Sequence, residues 1–198
     1  MDEELFAVPR ASVLDANNSD LQSRIDERLA DFGSWNSLVL VIIYEYLQKE
    51  TSTWFPYFKV LPLTFNTVMF WSPAELEELR GSAVLNKIGK QDAEEAWKAS
   101  ILPLMSKYPS LFPIDHSSPE SEQLRLAHMA GSLIMAYAFD LGKDDEEGDG
   151  DEDGFLEDDE EDPAKGMVPM ADMLNADADR NNVCFPCFTS KCLKYNDR

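Results

Sequence analysis

The chain has 198 residues, enough for one domain with a core of its own, and its 44% hydrophobic and 11% aromatic residues describe a folded protein rather than a disordered one. Its 38 acids outnumber its 17 bases for a net charge of -21, and with no basic stripe to neutralise phosphates the sequence argues against nucleic acid as a partner. The longest apolar run, residues 38–43, is too short to span a bilayer and argues against a membrane role.

The acidity is local. Residues 143–162 hold 14 of the acids and one lysine, so this stretch carries -13 and the rest of the chain -8. Three cysteines, an odd number bunched near the C-terminus, are not a disulfide framework. With no charged-then-apolar signal at the start, they point to a reducing, intracellular setting.

In chain order, Leu5-Phe-Ala-Val-Pro-Arg10 and Val13-Leu14 are short β-prone segments closed by a proline. From about Ser34 the period becomes helical, with Trp35, Leu38, Val41, Ile42 and Tyr46 on one wide apolar face. Trp54-Phe-Pro-Tyr-Phe58 breaks this helix with an aromatic cluster around a proline. Ser72-Pro-Ala-Glu75 opens another, with Ser72 as N-cap, Pro73 in the first turn and Glu75 closing a capping box; Gly81 or a neighbour ends it. A helix is expected from about Gln91 to Tyr108, carrying Ala93, Trp97, Ile101, Leu104 and Tyr108 on one side and stopped by Pro109 and Pro113. A further helix is expected from Ser118-Pro119 to about Leu141, carrying Leu124, Ala127, Leu133, Ile134 and Tyr137. His128 within it and His116 before it stand at no metal-ligand spacing from each other.

Residues 143–162 are low-complexity acid, interrupted by Gly148, Gly150, Gly154 and the pair Phe155-Leu156. Like charges at this density repel and bury too little surface to order themselves, which predicts a disordered acidic loop. The alternative role is an electrostatic collector for lysine-rich proteins. The pattern then turns to alternating apolar and polar positions, Val168, Met170, Met173 and Leu174 against Asp172, Asn175 and Asp177, with Pro169 arguing against a regular helix. So many short amides and carboxylates beside apolar residues mark a candidate functional stretch, although Asx-rich turns are common.

Four stretches, in this order, carry a family resemblance: Glu4-Leu-Phe-Ala-Val-Pro-Arg10, Trp54-Phe-Pro-Tyr-Phe58 with Leu61-Pro62, Trp71-Ser-Pro-Ala-Glu-Leu-Glu-Glu-Leu-Arg-Gly81, and Pro169-Met-Ala-Asp-Met-Leu-Asn175-Ala176 followed by Asn181-Asn182. Over residues 3–183 the chain resembles the SET-domain protein-lysine methyltransferases, in the branch of the Rubisco large-subunit and ribosomal-protein lysine methyltransferases. The resemblance implies an α+β protein, a partial SET β fold with a large, mainly helical insert. It divides the chain into the end of the N-terminal SET half (1–30), the insert (31–142), the acidic loop (143–165) and the start of the C-terminal SET half with a divergent tail (166–198).

It also implies a function: methyl transfer from S-adenosylmethionine to a lysine of a basic protein substrate, ribosomal or nuclear, in the nucleus or cytoplasm. By resemblance, Asn175 hydrogen-bonds the cofactor and the backbone at Ala176 pairs with its adenine. Ala176 stands where the family usually has histidine, a change that spares the backbone contact and removes any imidazole contact. The rings of Trp54 and Tyr57 are the candidates for walls of the substrate-lysine channel, their alternative being a core aromatic cluster. Tyr137 stands where some relatives carry a basic residue that contacts the cofactor's carboxylate.

The glycine-rich turn expected before Glu4 and the catalytic tyrosine expected after Asn182 are not recognisable, and the surroundings of Tyr195 do not match, so the chain reads as incomplete at both ends. Cys184, Cys187 and Cys192 have neither the spacing nor a fourth ligand for the zinc sites of other SET families. The alternative function is a catalytically inactive SET remnant that binds basic proteins through its helical insert and acidic loop.

Overall fold

A computed structural model describes residues 3–84, 87, 89–114, 119–141, 163–174, 183–189 and 192–197. Its centre is helix α2, Gly33–Gln48, which follows the short helix α1, Leu21–Arg24. The expected apolar face is there, but from Ser37 to Glu45 every side chain is buried, Val39, Leu40 and Ile43 included, so the helix is enclosed all round rather than laid on a surface. Trp35 and Tyr46, at its two ends, are only half-buried.

The chain then runs through α3, Phe55–Phe58, and α4, Pro73–Glu77. The capping box at the start of α4 forms as the sequence predicts: the Glu75 amide donates to the Ser72 hydroxyl at 3.3 Å and the Ser72 amide to the Glu75 carboxylate at 2.7 Å. The single helix expected over 91–108 is instead two, α5 at Lys90–Ala99 and α6 at Ile101–Lys107, broken at Ser100. Pro103 explains the break, because it has no N–H to offer the carbonyl four residues back and its ring crowds that carbonyl. Helix α7, Pro119–Tyr137, packs against α2 and stops four residues earlier than expected. Ala138–Leu141 is strand β2, paired antiparallel with β3, Ala164–Met167. Ala164 and Lys165, assigned from the sequence to the acidic loop, thus lie in a strand.

A second sheet takes the order β1–β5–β4, from Glu3–Pro9, Cys192–Asp197 and Val183–Thr189. The divergent tail is therefore a β-hairpin whose second strand pairs with β1, Glu3 opposite Asp197 and Pro9 opposite Cys192. Its ladder is irregular between Cys184 and Cys187, where Pro186 supplies no amide.

Two cores result. The larger surrounds α2 and takes in Trp97, Ile101, Met105, Phe112, Leu126 and Leu133; the smaller holds Val8, Val13, Leu141, Val168 and Ala171. Leu14 and Met167, in the larger core, exchange two backbone hydrogen bonds of 2.9 Å and so join the 10–20 loop to β3. Beside this bridge sits Gly166. A β-carbon there would lie 2.7 Å from Leu141 Cδ1 and 2.9 Å from Val13 Cγ1, closer than side chains approach. Gly166→Ala is expected to destabilise the fold by about 1–3 kcal/mol through overpacking, read as a lower thermal midpoint.

Candidate functional site

The aromatic stretch of residues 54–58 is placed by a buried carboxylate. Glu45, 4% exposed in the middle of α2, accepts from the Ser19 hydroxyl at 2.7 Å and from the Ser52 hydroxyl at 2.6 Å. Ser52 Oγ in turn accepts the Trp54 amide at 3.1 Å, which fixes the start of α3. The Trp54 indole N–H then donates to the Ser12 carbonyl at 3.2 Å. Ser12 belongs to a loop built on Asp15, whose carboxylate pairs with Arg10 at 2.5 Å and accepts the amides of Asn17 and Asn18. One chain of polar contacts therefore runs from the helical core to the rim of the smaller core.

Between these parts lies a cleft of about 510 Å³. Ala11 and Ser12 form one wall, Trp54, Tyr57 and Leu61 a second, and Pro169, Met170, Asp172 and Met173 the third. Val60, Met170 and Met173, each 70% exposed, give it an apolar mouth. Trp54 and Tyr57, taken from the sequence as channel walls, thus share one cavity while remaining 8% and 9% exposed.

Asp172 lies in the candidate functional stretch, but the sequence assigned it no role of its own. It sits in a single 3-10 turn, Ala171–Met173, and its Oδ2 accepts the Tyr57 hydroxyl across the cleft wall. Its Oδ1 is buried and has no hydrogen-bond partner among the described residues. Burial raises the Asp172 carboxyl above the ordinary aspartate range, opposed by the Tyr57 hydrogen bond. Burial, with that carboxylate beside it, likewise pushes the Tyr57 phenol up and keeps it protonated. The cleft can enclose an aliphatic stem and exclude water, with one carboxylate at its edge.

The other sequence candidates are placed differently. Asn175 and Ala176 lie outside the described residues, as do His116, Asn181, Asn182 and the acidic loop through Asp162. His128 is 7% exposed, its Nε2 is 2.8 Å from the Glu94 carboxylate, and its ring meets Trp97 edge-on at 5.0 Å. This is a structural packing between α5 and α7. Tyr137 is half-buried at the end of α7. The side chains of Cys184, Cys187, Cys192 and Tyr195 are outside the described part, and among the described residues no three His, Cys, Asp or Glu side chains could hold a metal ion. Nor does any described helix have the length and apolarity to cross a membrane.

Two outcomes follow from this geometry. Glu45→Ala removes two hydrogen bonds to a carboxylate and leaves two buried serine hydroxyls without an acceptor, so urea denaturation is expected to show a loss of about 3 kcal/mol, with Glu45→Gln milder. For Asp172, a raised carboxyl favours the fold at low pH, and that contribution is lost as pH rises through its folded titration. Asp172→Asn should therefore be the more stable protein at neutral pH, and its advantage should shrink as pH falls toward about 4; melting curves across that range check the sign.

No family model matches the sequence. Among curated proteins the chain is 36% identical over 209 residues to "Ribosomal lysine N-methyltransferase 4" of Saccharomyces cerevisiae, an alignment that covers 98% of the chain and 40% of that protein. It is 34% identical over 203 residues to "N-lysine methyltransferase setd6" of Xenopus laevis, covering 97% of the chain and 41% of that protein. The chain thus spans about two-fifths of the length of these curated relatives. Among solved structures it is similar to the SET domain of LSMT bound to lysine and AdoHcy, with a TM-score of 0.64 at 20% identity, over 99% of this chain and 41% of that one. In sequence the chain is similar to named protein-lysine N-methyltransferases over nearly all of its length, and its fold is that of a SET domain.

Proposed function

We propose that this chain carries cofactor- and lysine-binding parts of a protein-lysine N-methyltransferase, which moves a methyl group from S-adenosylmethionine to a lysine of a basic protein, ribosomal or nuclear. The observation that carries the reading is identity to named lysine methyltransferases across nearly the whole chain. The cleft supports it: aromatic and thioether walls suit the long apolar stem of a lysine.

S-adenosylmethionine supplies a methyl group on a sulfonium that is already a good leaving group. The protein must supply alignment and an uncharged amine. Trp54 and Tyr57 flank the lysine stem, and their apolar surroundings disfavour the charged amine, so its proton is lost before nitrogen attacks. Asn175 hydrogen-bonds the cofactor and the Ala176 backbone pairs with its adenine. In this reading residues 1–30 end the N-terminal SET half, 31–142 are its helical insert, 143–165 draw basic substrates electrostatically, and 166–198 begin the C-terminal half. The enzyme works in the nucleus or cytoplasm.

Isothermal titration of the chain with S-adenosylmethionine tests the proposal. Saturable binding is expected, weakened by about tenfold in Asn175→Ala through loss of one hydrogen bond. A folded chain that takes up no cofactor would overturn it in favour of the remnant that binds basic proteins.

A further inference from the structure

The turn at 168–174 is held unevenly. On one side Val168 and Ala171 are buried in the smaller core with Val8, Val13 and Leu141. On the other, Met170 and Met173 are 70% exposed and Leu174 is 44% exposed, so the second half of the turn has little packing to fix it. Met170 holds a φ of +75°, a backbone conformation that costs a non-glycine residue free energy and persists only where neighbours enforce it. The turn's backbone hydrogen bonds are internal: Asp172 to Val168 at 3.3 Å, Met173 to Met170 at 3.2 Å and Leu174 to Ala171 at 3.1 Å. Among the described residues, the side-chain hydrogen bond that reaches it from outside is that of the Tyr57 hydroxyl, which donates to Asp172 from a residue 115 positions away.

We infer that Tyr57 is a positioning residue for the cofactor site: its hydroxyl holds Asp172, and through it the turn from which Asn175 departs three residues later. The inference rests on the proposed role of Asn175. With Oδ1 buried and without a hydrogen-bond partner, the carboxylate has no second side-chain anchor among the described residues, and what else faces it are amides of its own turn, at Met170, Asp172 and Met173. Removing the hydroxyl takes the side-chain donor from Oδ2 while Oδ1 stays buried without a partner, and a carboxylate in that state turns toward water. The turn follows it, because Met173 and Leu174 have little else to resist the movement. Trp54 shares the cleft without this role; its indole is tied to Ser12 on the opposite wall.

The test is Tyr57→Phe, which keeps the ring and its packing and deletes only the donor. Amide hydrogen exchange at Met173 and Leu174 is expected to quicken by about tenfold, the equivalent of one lost hydrogen bond, while the β2–β3 amides keep their protection. Affinity for S-adenosylmethionine should fall by a similar factor, an effect a wall of the lysine channel would not by itself produce. Asp172→Asn retains an acceptor for Tyr57 and should keep both protection and cofactor affinity, whereas Asp172→Ala should reproduce the loss and serves if Tyr57→Phe fails to fold. Unchanged exchange at Met173 and Leu174 in both Tyr57→Phe and Asp172→Ala overturns the inference. Faster exchange with unchanged affinity, in a chain that binds the cofactor, overturns the link to Asn175. A wild-type chain that binds no cofactor counts against the functional reading, and the exchange result still decides whether Tyr57 holds the turn.

Discussion

A carboxylate buried in an otherwise apolar helix is the constraint on which the site depends. Glu45 would be costly to enclose on its own, and it is tolerated because two serines from opposite directions in the chain donate to it. Ser19 ends the loop that leaves β1; Ser52 begins the segment that becomes α3. Joined at Glu45, these two segments approach each other at Trp54 and Ser12, and the cleft opens beside that contact. An apolar residue at position 45 could fill the volume, but it could not specify which two segments meet. Here the polar contact selects the arrangement, and the surrounding aliphatic core supplies most of the stability.

The β part depends on closure over long distances. β1 pairs with β5 from the far end of the chain, and Leu14 bridges to Met167. Contacts of such sequence separation require large loops to close before they are rewarded. The helical core is made of nearer neighbours, with α2, α5, α6 and α7 packed around one cluster. The small β core thus settles onto a helical body, which suits a site whose walls come from both.

Local chemistry was legible in the sequence and distant pairing was not. The period of residues 34–48 announces α2, and Ser72 with Glu75 announces the start of α4, because the signals lie within a turn or two of each other. Pro103 lies in plain view, yet the break it causes falls three residues earlier, where the apolar pattern runs on without interruption. Ala138–Leu141 reads as the end of a helix; its strand partner lies beyond the whole acidic stretch. The family motifs place Trp54 and Tyr57 near one cavity, but Asp172 becomes a partner of Tyr57 only through folding. The residues from Val183 onward include strand-prone Val183, Phe185, Phe188 and Thr189, but no alternation and no family motif placed them in a sheet.

The pairing of Leu141 with Ala164 bears on how this protein's charge can vary. Residues 142–163 connect two strands at the point where Leu141 pairs with Ala164, so the register of both strands is set by side chains outside the acidic stretch. Doubling the length of such a connection costs only about 0.6 kcal/mol in closure entropy. The charge of the chain can therefore drift by insertion or deletion there almost independently of the domain that carries it, on a schedule separate from that of the cleft.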